Sequence, residues 1–324
     1  MAMNSNTLVG SVFLACALSA CGGGGGSSST GTNSTTTNTT STSAYGGSKQ
    51  EARITRNNSL AFIRNFKQSQ NTAANTASYK SVNATTDTPL PLTSSLDKAI
   101  KYSLDNTQRY QQRAVNSTTA CEYGGTSSLK GDVNDSDGSG SFSIQFNQCK
   151  TSSSLTLNGL VDINAKAFST TTSEVLQGTF YFTNLTATDS TGNLILSGKI
   201  DKLIDLTNSQ VQFTSNLFSY SPATGEQIMV ENFQELYAYL NQTDLASLIQ
   251  GRMYNSQYGY VRLITPQTLY FNNGLPYYGE LVFIGNQGTT VQVLFQTDKS
   301  VVINVDENGD GVYDSSDLYE WVKI

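Results

Sequence analysis

The second half of this sequence alternates apolar and polar residues with a period of two, beginning near Cys121. Such alternation is typical of half-buried β-strands, because successive side chains of a strand point to opposite faces of its sheet. Short polar segments such as 272–274 separate the apolar runs and have the length of hairpin links. We therefore expect about ten to twelve strands in one antiparallel meander, shaped as a curved sheet, a half-barrel or a sandwich.

Two segments ahead of this β region carry helical patterns. Residues 58–69 place Leu60, Ile63 and Phe66 at helical spacing. A second helix is predicted over residues 96–113, where a weakly apolar stripe follows a serine-rich start signal. This order of elements predicts N-terminal helices that precede the large sheet.

Residues 234–251 fit the strand pattern less well than their neighbours. The leucines at positions 236, 240, 245 and 248 predict a short helical insertion within the β region. The expected fold class is α+β and predominantly β. Its organisation is a helical lead-in over residues 49–120, followed by an antiparallel β domain over residues 121–324.

The N-terminal region has the features of an export signal. Residues 8–20 form an apolar run too short to span a bilayer, and the run ends in Leu-Ser-Ala before Cys21. This ending resembles the lipobox of bacterial lipoproteins, in which the signal is removed before the cysteine and the cysteine is lipidated. The resemblance implies a signal peptide over 1–20, lipidation of Cys21 and an outer-membrane anchor, with the protein facing the periplasm or the cell surface. An ordinary secretory signal with a chance cysteine is the alternative.

Residues 22–48 consist almost entirely of Gly, Ser, Thr and Asn, and Lys49 is the first charged residue of the chain. Such a segment has too little apolar surface to offset the entropy lost on ordering. We therefore interpret residues 21–48 as the lipidated cysteine and a disordered tether. The mean reach of this tether is roughly 30 Å by the square-root rule for Gly/Ser chains.

Cys121 and Cys149 flank a predicted hairpin with strands over 126–133 and 141–146. Both cysteines are equally far along the chain from residue 135, in the middle of the turn, so the hairpin would place them opposite each other. An exported protein can keep the disulfide that this arrangement permits. A reactive thiol is the alternative, but catalytic cysteines usually need a histidine, and the chain contains none. We therefore predict a structural disulfide.

Residues 306–317 form the one chemical motif of the sequence and carry most of the formal net charge of −6. Residues with side-chain oxygens recur at every second position from Asp306, and a glycine occupies the sixth position, where the chain must turn sharply. This spacing resembles the calcium loops of EF-hands and dockerins. The resemblance implies a Ca²⁺ ion held by Asp306, Asn308, Asp310, the main-chain carbonyl of Val312, Asp314 and Asp317.

The flanks of this motif leave alternatives open. The upstream residues have a strand pattern, so the loop is also similar to the strand–loop–strand calcium hairpins of integrin-type propellers. In that arrangement Asp314 binds the ion directly, and Asp317 is spare or caps a following helical turn. A solvated acidic turn without metal is the other alternative. A second acidic segment, 132–138, breaks the alternating spacing, and we interpret it as a hairpin turn.

Several classes of function are disfavoured by what the sequence lacks. The chain contains no histidine. It therefore lacks the residue that most often serves as a general base, as a zinc ligand and as a member of a catalytic triad. It also lacks a G-x-S-x-G elbow, a P-loop and a G-x-G-x-x-G motif. We therefore expect no enzymatic activity. Near neutrality outside the acidic C-terminal region argues against a nucleic-acid partner.

Taken together, four segments resemble a group of bacterial outer-membrane lipoproteins with no assigned activity. They are the lipobox with its tether, the Cys-Glu-Tyr-Gly-Gly stretch at Cys121, the G-S-F-S-I-x-F-x-x-C segment that ends at Cys149, and the V-D-x-N-G-D-G-x-Y loop near the C-terminus. We expect a membrane-anchored, calcium-binding envelope module that is structural or contacts a glycan or protein partner. The alternative is a periplasmic carrier that holds a lipid or another hydrophobic ligand in a half-barrel.

Overall fold

Strands that follow one another along the chain are neighbours throughout one antiparallel sheet of fourteen strands. The strands are β1 (Val115–Ala120), β2 (Thr126–Val133), β3 (Gly140–Lys150), β4 (Thr156–Ser169), β5 (Glu174–Asp189), β6 (Gly192–Asp205), β7 (Gln210–Ser221), β8 (Glu226–Tyr239), β9 (Asp244–Asn255), β10 (Gly259–Asn272), β11 (Leu275–Ile284), β12 (Thr290–Phe295), β13 (Ser300–Asp306) and β14 (Ser315–Glu320). The predicted meander is confirmed, with more strands than the sequence pattern suggested.

The computed structural model describes residues 45–73, 115–134, 139–153, 155–169, 174–189, 192–241, 244–272 and 275–324. All of them belong to one compact unit, Thr39–Ile324. The predicted signal peptide, Cys21, most of the predicted tether and the predicted helix over 96–113 lie outside the described residues. Helix α1 (Arg56–Ala73) is therefore the one of the two predicted helices that the described part of the chain contains.

Burial alternates along the strands, so one face of the sheet forms the core and the other faces solvent. In β12, for example, Val291, Val293 and Phe295 are buried and the residues between them are not. Directly paired residues share a face, and Val293 lies between the equally buried Leu281 and Ile303 of the neighbouring strands. We call the buried side the inner face and the opposite side the outer face.

β-Bulges bend several of the strands, and three of them lie at Gln148, Asn184 and Asn232, each with a φ of 48°. A bulge adds one residue to one strand, which increases the local bend and twist of the sheet. Opposite the second bulge, a Cβ added at Gly159 would lie 2.9 Å from the carbonyl oxygen of Asn184. Glycine is needed at this position because a larger residue would collide with the bulged backbone.

Helix α1 packs against the inner face of the sheet. The ring of Phe62 contacts that of Tyr258, and the ring of Phe66 contacts that of Phe283, each pair with centroids 6.0 Å apart. A helix of this length is marginal alone and depends on such packing of its apolar face. The helix predicted over residues 58–69 is confirmed and extends further at both ends.

Residues 45–55, which we call the N-terminal strap, lead from the outer face of the sheet to the inner face. Tyr45 is 3 % exposed and packs on the outer face against the rings of Phe218 and Tyr254. Main-chain hydrogen bonds hold the middle of the strap to β10 and to the turn before it. The strap then places Ile54, which is fully buried, in the main core. Residues 45–48, which the sequence analysis assigned to the tether, thus belong to the packed structure.

The prediction of a helical insertion over residues 234–251 is wrong. These residues form the end of β8, a tight connection and most of β9. The four leucines gave a helical spacing by coincidence, because the chain folds back between them. Leu236 and Leu248 are instead direct cross-strand partners on the outer face.

Candidate binding surface and C-terminal loop

The loop between β13 and β14 is built around the carboxylate of Asp306, which is 1 % exposed. Asp306 Oδ1 accepts hydrogen bonds from the main-chain N–H groups of Asn308 (3.2 Å) and Gly309 (2.6 Å). Asp306 Oδ2 accepts a third hydrogen bond from the N–H of Gly311 at 2.9 Å. Gly309 has a φ of 78°, and a Cβ there would lie 2.1 Å from the carbonyl oxygen of Gln287. This buried carboxylate and the close approach of the two turns fix the path of the loop.

The next predicted ligands also bond to the loop backbone. Asn308 Oδ1 accepts a hydrogen bond from the N–H of Asp310, and Asp310 Oδ1 accepts one from the N–H of Val312, each at 2.8 Å. Asp314 Oδ2 accepts a hydrogen bond from the N–H of Glu307 at 2.7 Å. Asx turns of this kind satisfy main-chain donors that a tight loop leaves without strand partners.

Asp317 is not part of this loop, because it lies within β14. Its Oδ1 accepts a hydrogen bond from Arg56 Nη2 at 2.8 Å, in an ion pair that joins β14 to the start of α1. Across the described ranges, no group of three or more Cys, Asp or Glu side chains is placed to hold a metal ion. The structure therefore brings the other predicted ligands into one loop without gathering three carboxylates at one point.

Cys121 and Cys149 form the predicted disulfide, with their Cα atoms 5.4 Å apart. The hairpin of β2 and β3 is also as predicted, although its centre lies between residues 136 and 137, because Val133 pairs with Gly140. The two cysteines are not direct cross-strand partners of this hairpin, because β2 begins only at Thr126. Cys121 instead reaches Cys149 from the turn that joins β1 to β2, where its N–H donates to the Gly125 carbonyl oxygen at 3.0 Å. Asp132, from the second acidic segment, lies in β2, and residues 135–138 lie outside the described part of the chain.

A groove of about 230 Å³ crosses the outer face over β4 to β7. Two cross-strand rows of directly paired residues line most of it, and they are Gln177, Leu203 and Gln212, and Thr179, Asp201 and Thr214. Lys166, Gly178 and Lys202 complete the lining. Asp201 Oδ1 accepts a hydrogen bond from Thr179 Oγ1 at 2.6 Å, and Asp201 Oδ2 accepts one from Lys199 Nζ at 3.1 Å. The groove thus presents amide, hydroxyl and charged groups beside one exposed leucine.

A cluster of exposed leucines adjoins this groove. We call it the leucine patch, and it consists of the exposed Leu203, Leu206, Leu240 and Leu248 together with the half-buried Leu236. Leu203, Leu236 and Leu248 share one cross-strand row through Gln212. Leu206 and Leu240 follow β6 and β8 at the same end of the sheet and are each 55 % exposed. An apolar cluster on a polar sheet face is informative, because single exposed leucines are common but contiguous patches mark contact sites.

Polar side chains also lie in the core, on the inner faces of β6 to β9. Glu235 is fully buried, and its Oε1 accepts a hydrogen bond from the Tyr237 hydroxyl at 2.8 Å. Burial raises the pKa of the Glu235 carboxyl to about 7, although the bond from Tyr237 opposes this rise. Lys202, which is 5 % exposed, lies in the same cross-strand row. Buried Oγ atoms of Ser215 and Ser247 have no hydrogen-bond partner within the described residues.

The groove and the leucine patch were not found by sequence analysis. Alternation shows which residues of a strand face outward, but it does not show which outward residues of different strands lie side by side. The available signal was the group of leucines near residue 240, and its spacing was interpreted as helical. The buried Glu235 was missed for a related reason, since one acidic residue within a strand does not reveal which face it occupies.

Comparison of the chain with protein-family models, with curated proteins and with solved structures gives no match. Within the part of the chain that the structure describes, no helix is both long enough and apolar enough to cross a membrane.

Proposed function

We propose that this protein is a non-enzymatic binding module of the bacterial envelope, anchored to the outer membrane by lipid on Cys21. The proposal rests on the contrast between the two faces of the sheet. The inner face is filled by large packed side chains such as Phe146, Phe213 and Phe283, each at most 1 % exposed. The outer face carries an open polar groove beside exposed leucines. A partner can therefore reach the outer face without any opening of the core.

The lipid anchor is tested by incorporation of a labelled fatty acid into the protein in a bacterial host. We expect the label in the wild-type chain and in Cys16→Ala, and we expect it to be lost in Cys21→Ala. Cys16 is the matched control because it lies within the predicted signal. Equal labelling of both variants would contradict lipidation at Cys21. Protease treatment of intact cells then distinguishes a surface-exposed module from a periplasmic one.

We also propose that the loop after β13 binds Ca²⁺. The oxygen-rich side chains of Asp306, Asn308, Asp310 and Asp314 occur within one short loop, and this donor set suits a hard cation. Binding requires side chains that now accept main-chain hydrogen bonds to turn toward the ion. We assign the ion a structural role, because the loop connects the last two strands and packs on the neighbouring turn at Gln287.

Calorimetry on the mature protein tests calcium binding. We expect a Kd of about 0.1–1 mM, the range of extracellular calcium modules. Asp310→Asn should weaken binding about tenfold or more, because the ion loses one ligand charge. Asp298→Asn is the matched control, since Asp298 is also an exposed carboxylate that caps a turn, between β12 and β13. No binding heat at millimolar Ca²⁺ would reject the assignment.

A second candidate function, a carrier of a hydrophobic ligand, is favoured by the polar cluster in the core. If the packed inner face opened to admit such a ligand, the buried hydroxyls of Ser215 and Ser247 would bond its polar end, near Glu235. Mass spectrometry of lipid extracted from the purified mature protein separates the two functions. One noncovalently bound lipid per protein supports the carrier, whereas protein that carries no lipid besides its anchor on Cys21 supports the outer-face module.

A further inference from the structure

We propose that the leucine patch and the adjoining groove dock a peptide segment of a partner protein, one that carries aliphatic and basic side chains. This inference rests on the proposed function as a binding module and names the class of its partner. Three properties of the surface support it: the arrangement of the leucines, the size of the patch and the charges at its border.

The leucines are arranged along a line that a peptide can follow. Leu203, Leu236 and Leu248 lie in one row across β6 to β9. At the usual strand spacing this row is roughly 15 Å long. About four or five residues of extended chain, or about ten residues of helix, cover that length. Two or three aliphatic side chains of one short segment can therefore contact the row together.

The size of the patch favours a short segment over a second copy of this chain. Leu203 and Leu248 are 42 % and 44 % exposed, and the two leucines at the strand ends are 55 % exposed. These four exposed leucines and the half-buried Leu236 together offer on the order of a few hundred Å² of apolar surface. A stable dimer buries about 800 Å² on each partner. The patch is thus large enough for a peptide contact and too small for a dimer by itself.

Carboxylates border the patch at the end of the sheet. Asp205 precedes Leu206, and hydrogen bonds from the side chain and main chain of Asn208 lower the pKa of the Asp205 carboxyl. Asp244 faces Leu240 across the tip of the next hairpin, where the N–H of Leu240 donates to its main-chain carbonyl. Negative charge at this border attracts a basic segment and opposes an anionic lipid surface, which basic and aromatic residues normally bind.

The groove extends the same surface on its polar side. Leu203 belongs to both the patch and the groove, so a segment that covers the leucines also reaches the amides of Gln177 and Gln212. Amide side chains can donate to and accept from the main chain of a bound peptide. The combination of aliphatic contacts with main-chain hydrogen bonds is a recurring mode of peptide recognition.

The test is selection from a random twelve-residue peptide display library on the mature protein, followed by fluorescence anisotropy with labelled synthetic peptides. Selected peptides should share two or more aliphatic residues and at least one Lys or Arg. The double variant Leu203→Glu/Leu248→Glu should weaken their binding at least tenfold. Leu318→Glu is the matched control, because Leu318 is 68 % exposed on the outer side of β14, and it should change binding less than twofold. Asp205→Asn/Asp244→Asn should weaken binding several-fold and reduce its salt dependence.

Other results would overturn the inference in distinguishable ways. Failure to select peptides, or peptides whose binding is unaffected by the Leu203→Glu/Leu248→Glu change, rejects the peptide partner. Binding of soluble glycans that is lost in Asp201→Ala would then leave the proposed binding function standing with a different partner. A dimer that Leu248→Glu abolishes would assign the patch to a second copy, and binding to anionic vesicles would assign it to lipid. If none of these probes binds, the proposed function fails as well.

Discussion

The ammonium group of Lys67 lies 5.3 Å from the centre of the Trp321 ring and donates a hydrogen bond to the Trp321 carbonyl oxygen at 2.9 Å. Trp321 is the single tryptophan of the chain and is 6 % exposed. Its ring also packs edge-on against Phe295, with centroids 5.0 Å apart. These contacts join helix α1, strand β12 and the C-terminal end of the chain, so the fluorescence of one residue reports on the docking of all three.

Replacement of Lys67 should loosen this junction. Lys67→Met keeps the apolar stem but removes the cation and the hydrogen-bond donor, and we expect it to lower the free energy of unfolding by about 1–2 kcal/mol. Urea denaturation followed by tryptophan fluorescence measures the change. Arg64→Met is the control, because exposed Arg64 donates only a long 3.3 Å bond to the Ile324 carbonyl oxygen. Equal effects of the two substitutions would contradict a specific role for Lys67.

Removal of the Tyr45 hydroxyl should make the protein more stable. Tyr45 Oη is buried, and it has no hydrogen-bond partner among the residues that the structure describes. Desolvation and the nearby Tyr254 raise the pKa of this hydroxyl. Because Tyr45→Phe keeps the ring and removes the unsatisfied group, it should raise the free energy of unfolding by up to about 1 kcal/mol.

Removal of the whole Tyr45 ring should release the N-terminal strap. Tyr45→Ala should lower the free energy of unfolding by about 3 kcal/mol, the cost of losing a buried aromatic side chain. Tyr123→Ala is the matched control, since Tyr123 is 52 % exposed, and it should change stability by less than about 0.5 kcal/mol. Thermal unfolding measured by circular dichroism checks both variants. An effect of Tyr45→Ala no larger than that of the control would show that the strap is not held by this ring.

The disulfide should contribute strongly to stability. It closes a loop with a sequence separation of 28 residues, for which the chain-entropy relation gives about 3–4 kcal/mol. Cys121→Ser/Cys149→Ser should therefore lower the melting temperature markedly, and a reducing agent should lower that of the wild-type protein but not that of the variant. Two free thiols in the unreduced protein would contradict the disulfide.

Glu235 should make stability depend on pH in the weakly acidic range. The folded protein holds the proton of this carboxyl up to about pH 7, whereas the unfolded chain releases it near the ordinary glutamate pKa. At pH values between the unfolded and the folded pKa of Glu235, the chain therefore takes up a proton when it folds. The resulting stabilisation is complete below the unfolded pKa and is lost as pH rises through about 7, a change of about 3 kcal/mol.

Glu235→Gln should remove this pH dependence, because the amide does not titrate. Urea denaturation at several pH values between 4 and 8 measures it. Glu226→Gln, at the start of the same strand, is the control and should keep the wild-type slope. A slope that is unchanged in Glu235→Gln would show that another group causes the pH dependence.

Local patterns in the sequence were sufficient for much of the fold. Alternating residues such as Val291, Val293 and Phe295 identify a strand and its buried side, because both follow from the geometry of an extended backbone. The same holds for the helix that contains Phe62 and Phe66. It also holds for the β2–β3 hairpin near the Cys121–Cys149 disulfide. Each of these depends on residues that are close together along the chain.

Local sequence patterns are therefore enough to specify a β-rich chain with a leading helix, a disulfide hairpin and an acidic loop near the C-terminus. Other features emerge only in the folded chain: Asp317 pairs with Arg56, Tyr45 and Ile54 lie on opposite faces of the sheet, and leucines with helical spacing form an outer-face patch. These contacts depend on the register between distant segments. A shift of one residue in any pairing would turn the affected side chains to the other face, and no local pattern encodes that choice.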